Sequence, residues 1–263
     1  YRMTQANMGL ILQAEATKSL HRDVSLGRVV FANGHVYIED VRISEGPPNV
    51  KSNDLLSASQ VVLDFDVRRL LFSDRKDLPY FGKIDVFNPE ANLKRSGDGK
   101  WNFGDLFRGS KDGQGRPAVG TINIYNGSLN YADTGLPGHN SREKRPFSAE
   151  IRQIEGHIHL DSDRSVTWEA NGEGDPKVVG SLHVLGTYES VTSRLYLKTD
   201  AEKLNLTALN RFLPKDQEIV SGWGTGRISI LDILKKSKTV RFHSNTAIGR
   251  KRPSSLIFQN NGS

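Results

Sequence analysis

Apolar and polar residues alternate along much of the chain. Over Gly27–Asp40, Val29 and Phe31 precede an Asn33-Gly34 step, and Val36 and Ile38 follow it. Alternation with period two puts successive side chains on opposite faces of a strand. Asn-Gly accepts φ > 0 at both central positions of a type I′ turn, so this segment predicts a two-residue β-hairpin. Counting outward from the turn sets Phe31 opposite Val36 and Val29 opposite Ile38. The pattern returns without gaps at Gly120–Asp133, 93 positions further on, around Asn126-Gly127. It predicts a second hairpin, with Ile124 opposite Leu129 and Ile122 opposite Tyr131. Asn123, Tyr125, Ser128 and Asn130 then form its polar reverse face. A weaker hairpin signal lies at Ile151–Asp161, turning near Glu155-Gly156. One apolar and one wet face in each hairpin describe an open antiparallel sheet.

Between the two copies, Leu56–Val67 alternates, with Val61, Leu63, Phe65 and Val67 on one side and Gln60, Asp64 and Asp66 on the other. Arg68–Phe72 reads as a short helical turn. Phe81–Phe87 and Ala91–Arg95 are strands bent at Asn88-Pro89, because proline has no N–H for a central ladder. Ser96–Gly99 reads as a turn and Trp101–Phe107 as an apolar closure. Arg108–Pro117 and Thr134–Arg145, rich in Gly, Ser and charge, read as flexible loops. Val166–Ala170, Val178–Thr187, Val191–Thr199 and Gly226–Leu231 are spaced as a meander.

Helical signals are few. Met3–His21 holds no proline and sets Ala6, Leu10, Ala14 and Thr17 on one side. Leu206–Leu213 is stopped by Pro214. From Lys235 onward alternation fades, and an irregular tail is expected. The expected organisation is mainly β: a helix over 1–22, a sheet module over 23–107, a loop over 108–119, a second module over 120–234 and a basic tail over 235–263.

Composition narrows the function. The 263 residues suffice for one or two domains, and a hydrophobic content of 36% suits thin layers. No run reaches the ~18 apolar residues of a membrane span. The chain begins at Tyr1, which leads us to expect a removed upstream segment. With no cysteine, disulfides, thiolate metal sites and cysteine nucleophiles are excluded. The net charge is +6, and Lys235, Lys236, Lys238, Arg241, Arg250, Lys251 and Arg252 supply much of it. That run reads as a solvated tail. Trp101, Trp168 and Trp223 are scattered, without the aromatic–basic interleaving that binds single strands, so no nucleic-acid partner is expected.

Catalytic motifs are weak. His157-Ile-His159 puts two imidazoles on one strand face, but only Asp161 offers a further metal ligand nearby. Asp64 and Asp66 share a face as glycosidase carboxylates do, yet the wet side of a half-buried strand explains them. Asn126-Gly-Ser and Asn205-Leu-Thr match the glycosylation sequon, the first being accounted for by turn chemistry. The chain has no Gly-x-Ser-x-Gly elbow, phosphate loop, dinucleotide fingerprint or His-Glu-x-x-His stretch. The expectation is a non-enzyme with no cofactor and no metal.

Three runs share an order with known envelope proteins: Val67-Arg-Arg-Leu-Leu71, Ile84-Asp-Val-Phe-Asn-Pro-Glu-Ala-Asn-Leu-Lys-Arg95, and Asp98-Gly-Lys-Trp-Asn-Phe-Gly-Asp-Leu106. Pro89, Asp98, Gly99, Trp101, Asn102 and Leu106 occupy the motif positions, and Val36–Ser44 fits the strand before them. On these residues the chain resembles the N-terminal module of the AsmA/TamB-like family. The likeness covers most of 23–232 and does not extend to the tail. It implies a half-open sheet folded like a taco around an apolar groove. It also implies a periplasmic location in diderm bacteria, an inner-membrane anchor just upstream, and bridge-like movement of phospholipid to, or assembly of, the outer membrane.

The expected partners are phospholipid acyl chains. The groove residues would be Val29, Phe31, Val36, Ile38, Val61, Leu63, Phe65, Val67, Ile84, Val86, Ile122, Ile124, Leu129 and Tyr131. One rival reading is a scaffold that meets an outer-membrane barrel protein through its sheet edge. Others are a closed sandwich core and a carbohydrate-active β-solenoid, the last of which needs acids converging in a cleft.

Overall fold

In the computed structural model the described residues are 5–48, 52–65, 81–96, 100–103, 119–134, 147–160, 165–189, 194–205, 222–231, 239–245 and 255–259. Among them the chain is mainly β, mostly antiparallel, with one N-terminal helix. It divides into two units, Tyr1–Gly135 and Leu136–Ser263.

The first unit holds α1 (Gln5–Leu20), β1 (Val24–Ser25), β2 (Val29–Ala32), β3 (His35–Ser44), β4 (Asp54–Phe65), β5 (Phe81–Phe87), β6 (Glu90–Arg95) and β7 (Val119–Asp133). β1 and β2 both pair with β3, and β4 follows. β5 and β6 then lie end to end between β4 and β7. The first hairpin forms as the pattern predicts. Asn33 and Gly34 have φ of 52° and 80°, and Phe31 and Val29 face Val36 and Ile38.

The second hairpin does not form. β7 runs unbroken through Asn126-Gly127 and pairs in parallel with β5 and β6. Ile122 and Ile124 therefore oppose Ile84 and Val86, while Leu129 and Tyr131 oppose Ala91 and Leu93. A hairpin would pair this segment only with itself. Pairing with β5 and β6 engages its whole length and lets its polar side chains bond across at a constant 38-residue spacing. Asn123 Nδ2 donates to Asp85 Oδ1 (2.7 Å), Asn126 Nδ2 to Asn88 Oδ1 (2.7 Å) and Asn130 Nδ2 to Asn92 Oδ1 (3.0 Å). These cross-strand partners outweigh the local turn signal.

Asn126 nonetheless keeps a left-handed φ of 52°, opposite Asn88 at 47°. Asp40, at 50°, falls in the same row, with Ser59 of β4 between it and Asn88. Asn88 Nδ2 donates to Ser59 Oγ (2.8 Å). The backbone is bonded on both sides of the row, from Asn88 N to Tyr125 O (2.8 Å) and from Ser128 N to Pro89 O (2.7 Å). The register is the same above and below the row. A left-handed residue within a strand re-aims the side chains that follow it. Val41, three positions beyond Ile38, accordingly packs on the same cluster as Val36 and Ile38. In the next row Ala58, Pro89 and Gly127 are all buried.

The half-buried stripe of α1 is Gly9, Leu12, Gln13, Ala16, Thr17 and Leu20. The expected face of Ala6, Leu10, Ala14 and Thr17 is displaced by about one position: Leu10 is 67% exposed. Gly9 sets the rotation, because the helix approaches so closely there that a β-carbon would sit 3.3 Å from Val29 Cγ2. Thr17 Oγ1 accepts from Val24 N (3.3 Å), tying the helix to β1.

Asn102 fastens the far side of this unit. Its Oδ1 accepts from Lys94 N (2.9 Å), and its Nδ2 donates to Asn92 O (2.8 Å) and Glu45 Oε1 (3.1 Å). Its carbonyl accepts from Nη2 of buried Arg22 (2.7 Å), which also donates to Ser44 O (3.1 Å) and Glu45 O.

The second unit holds β8 (Phe147–Leu160), β9 (Ser165–Gly174), β10 (Ser181–Glu189), β11 (Arg194–Asn205), β12 (Trp223–Leu231), β13 (Thr239–Asn245) and β14 (Ser255–Gln259). Each pairs antiparallel with the next, the meander the spacing predicts. Three expectations are corrected. No hairpin turns at Glu155-Gly156: β8 continues through it, with a bulge marked by Gln153 at φ 51°. Gly156 serves close approach instead, since a β-carbon there would lie 2.5 Å from Glu169 O. The boundary falls at 135/136 rather than 119/120, because β7 belongs to the sheet of β5 and β6. The tail is not wholly irregular, because β13 and β14 extend the meander. Arg68–Phe72, Arg108–Pro117, Leu206–Leu213 and most of Trp101–Phe107 and Thr134–Arg145 lie outside the described residues.

Asn102→Ala removes the side-chain bonds that join β6 to Glu45, leaving half-buried backbone groups of Asn92 and Lys94 without that partner. We expect a loss of ~1–3 kcal/mol, read as a lower urea midpoint.

Candidate functional site

Register turns the alternation of the first unit into continuous apolar rows. One runs Val29, Ile38, Val61, Val86, Ile124 and the next Phe31, Val36, Leu63, Ile84, Ile122, each across β2, β3, β4, β5 and β7. Beyond the kinked row come Ile43, Leu56, Ala91 and Leu129, then Leu93 and Tyr131.

The candidate residues divide along these rows. Val29, Val36 and Ile38 are 7%, 3% and 7% exposed and form a closed cluster, with Phe31, Val61, Leu63 and the helix residue Leu12 packed against it. Ile84, Val86, Ile122, Ile124, Leu129 and Tyr131 are half-buried. Phe65 pairs with Phe81 at the end of β4, and Val67 lies outside the described residues.

At the Tyr131 end, its hydroxyl donates to Asp133 Oδ2 (2.8 Å), and Arg95 Nη1 stands 3.5 Å from the same oxygen. Burial, reinforced by the hydrogen bond and charge of Asp133, pushes the Tyr131 hydroxyl up to about 12. Trp101, 40% exposed, packs its ring 5.8 Å from that of Tyr131 and 5.1 Å from that of Phe103.

The reverse face is polar. Asp85 accepts from Asn123 and from Lys83 Nζ (2.9 Å), beside the stacked rings of Phe87 and Tyr125 at 4.9 Å. Burial alone would raise the Asp85 carboxyl, but the bonds from Asn123 and Lys83 outweigh it and hold the group below its usual 3.8.

The second unit repeats this division with residues the sequence reading did not single out. Ile158, Trp168, Gly186, Leu197 and the Ile230 position form one row, and Gly156, Ala170, Val184, Thr199 and the Ile228 position the next. The intervening rows hold His157, Glu169, Leu185, Lys198 and then Glu155, Asn171, His183, Asp200, Arg227. Val178–Thr187 carried the alternation that could have found the apolar set. At one end, Val179 of the 175–180 turn closes over Ala201 and Leu204.

Trp168 lies over Gly186, its direct cross-strand partner, in the space a β-carbon would need. His157 and His159 fall on the wet rows, and Glu169 Oε1 sits 2.8 Å from His183 Nε2. Among the described residues no three His, Asp or Glu side chains are grouped to hold a metal, and no helix is long and apolar enough to cross a membrane.

Compared with family models, curated proteins and solved structures, the chain matches none.

Gly186→Ala forces the Trp168 indole off the strand and should destabilise the second unit by ~1–3 kcal/mol, with an altered near-ultraviolet dichroism of tryptophan. The depressed carboxyl of Asp85 contributes stability that is complete above its unfolded value of 3.8 and is lost as pH falls through the lower folded value. Asp85→Asn should therefore be less stable than the parent at neutral pH and show a shallower loss below about pH 4, read by acid titration of the urea midpoint.

Proposed function

We propose that this chain shields acyl chains of phospholipids on its apolar sheet faces, as the periplasmic part of an inner-membrane-anchored protein that supports lipid supply to, or assembly of, the outer membrane. One observation carries the reading. In each unit the apolar residues share one face in register across successive strands, and among the described residues α1, Leu26, Trp101 and the 175–180 turn pack on parts of it and leave the rest uncovered. A sheet with one dry face requires a cover, and an extended apolar face left open is a binding surface.

An acyl chain fits such a face. Each methylene kept from water is worth ~0.8 kcal/mol, so about sixteen carbons face of order 10 kcal/mol in crossing water unaided. Rows of Ile, Val and Leu remove most of that cost without recognising a headgroup.

Curling toward the dry side is supported by the glycines of the second unit. A β-carbon on Gly156 would sit 2.8 Å from Ala170 Cβ, whereas opposed β-carbons ordinarily stand about 4.5–5.5 Å apart. This close approach of β8 and β9 at one point of the apolar side is compatible with the groove we propose. Two positions of the motif shared with the AsmA/TamB-like family have structural roles in this chain. Asn102 bonds to β6 and Glu45, and Pro89 sits in the aligned bend. No cofactor or catalytic group enters this reading.

The alternative, a scaffold for outer-membrane barrel assembly, rests on β14, which among the described residues pairs on one side alone.

The test is the double variant Ile124→Asp, Val184→Asp, one charge in each dry face. A buried unpaired carboxylate opposes an acyl chain strongly, so lipid co-purifying with the folded variant should fall at least about tenfold by mass spectrometry. Unchanged lipid recovery from a folded variant removes the proposal and leaves the scaffold.

A further inference from the structure

Asn-Gly occurs four times, at 33–34, 126–127, 171–172 and 261–262, and the last lies outside the described residues. The other three share one local chemistry and differ in their backbone setting. We propose that Asn33 is a site of spontaneous deamidation and isomerisation in the folded protein, and that Asn126 and Asn171 are protected from it.

The reaction needs the glycine amide nitrogen to reach the asparagine Cγ. After loss of its proton to solvent base, the Gly34 nitrogen attacks Asn33 Cγ. A C–N bond forms and the adduct expels ammonia, leaving a five-membered succinimide. Water then adds to one of the two ring carbonyls and breaks that C–N bond, giving aspartate or isoaspartate. Nothing is oxidised or reduced, and water is the only co-reactant. Glycine favours the attack because it carries no side chain to obstruct it and moves readily between backbone conformations.

At Asn33 the setting permits this movement. Both turn residues are exposed, they alone stand outside the β2–β3 ladder, and a β-carbon on Gly34 would meet nothing within 4 Å.

At Asn126 the backbone is held on either side by Asn88 N to Tyr125 O and Ser128 N to Pro89 O. Gly127 is buried, and the Asn126 amide donates to Asn88 Oδ1. Asn171 stands mid-strand between β8 and β10, opposite Glu155 and His183. Its Gly172 packs so tightly that a β-carbon would lie 2.7 Å from Ile151 Cγ2. At both positions the attack requires the ladder to open first, and that opening has a free-energy cost.

The 263-residue chain is incubated in mildly alkaline buffer, digested, and the acid form of each peptide followed by mass spectrometry. Asn33 should convert at least about tenfold faster than Asn126 and Asn171, the ratio that ~1.4 kcal/mol of local opening gives. In concentrated urea the three rates should converge. Equal rates in the folded protein, or Asn33 the slowest, overturn the proposal. So does the same ratio persisting in urea, because flanking sequence rather than fold would then set it.

Discussion

A sheet keeps one dry face only while every strand alternates in phase with its neighbours, and the first unit depends on how this phase is maintained over strands of up to fifteen residues. A one-residue slip would move a whole apolar set into water. Its sequence would carry such an error if each strand were regular throughout: Ile122 and Ile124 fall on even positions, Leu129 and Tyr131 on odd ones. Left-handed residues at Asp40, Asn88 and Asn126 remove the conflict. Aligned in one row, they shift the phase of β3, of the β5–β6 line and of β7 at the same level, with Ser59 of β4 between the first two, so pairing keeps its register while the apolar series crosses the row. Asparagine and aspartate suit this position because a short polar side chain tolerates the left-handed region and can bond locally. Here Asn126, Asn88 and Ser59 bond to one another along the row.

The same row explains which parts of the fold were legible. Period-two alternation identified most strands, and Asn33-Gly34 identified a true two-residue turn. An identical Asn-Gly step at 126–127 was misread, because a turn signal records what the backbone tolerates and not which partner it meets. Nothing local to Gly120–Asp133 reveals that Asp85, Asn88 and Asn92 lie 38 residues upstream with matching donors and acceptors. Once that pairing is known, the tolerance of Asn126 for positive φ serves a bend within a strand. Glu155-Gly156 was misread for a related reason: its glycine makes room for Glu169 and Ala170 across the ladder.

Legibility of the candidate site was uneven for another physical reason. Hairpin counting gave the correct facing pairs in β2 and β3, but could not tell that α1 covers them, since the rotation of that helix depends on the approach of Gly9 to Val29. Tyr131 was grouped with aliphatic residues on spacing alone. Its hydroxyl in fact bonds to Asp133, and its ring meets Trp101. In the second unit, Gly156, Gly186 and Thr199 interrupt the apolar series, so composition hid a face that register makes continuous.

Those glycines also bear on what such a face can accept. Specific small-molecule sites combine apolar walls with a few convergent polar groups that fix orientation. The rows through Ile158 and Gly156 present aliphatic side chains, one indole, bare backbone and a single hydroxyl, that of Thr199. The charged pairs Asp200–Arg227 and Glu169–His183 belong to the intervening rows, which side-chain alternation sends to the opposite face. With almost no directional contact on the dry side, attraction scales with apolar area and changes little as a guest slides along a row. A guest held this way gains shelter from water without a deep minimum at any one point. Passage along a surface needs that energy profile, and retention at a site does not. Under the acyl-chain shielding proposed above, the distribution of polar groups between the two faces therefore suits conduction of flexible apolar chains better than storage of a defined ligand.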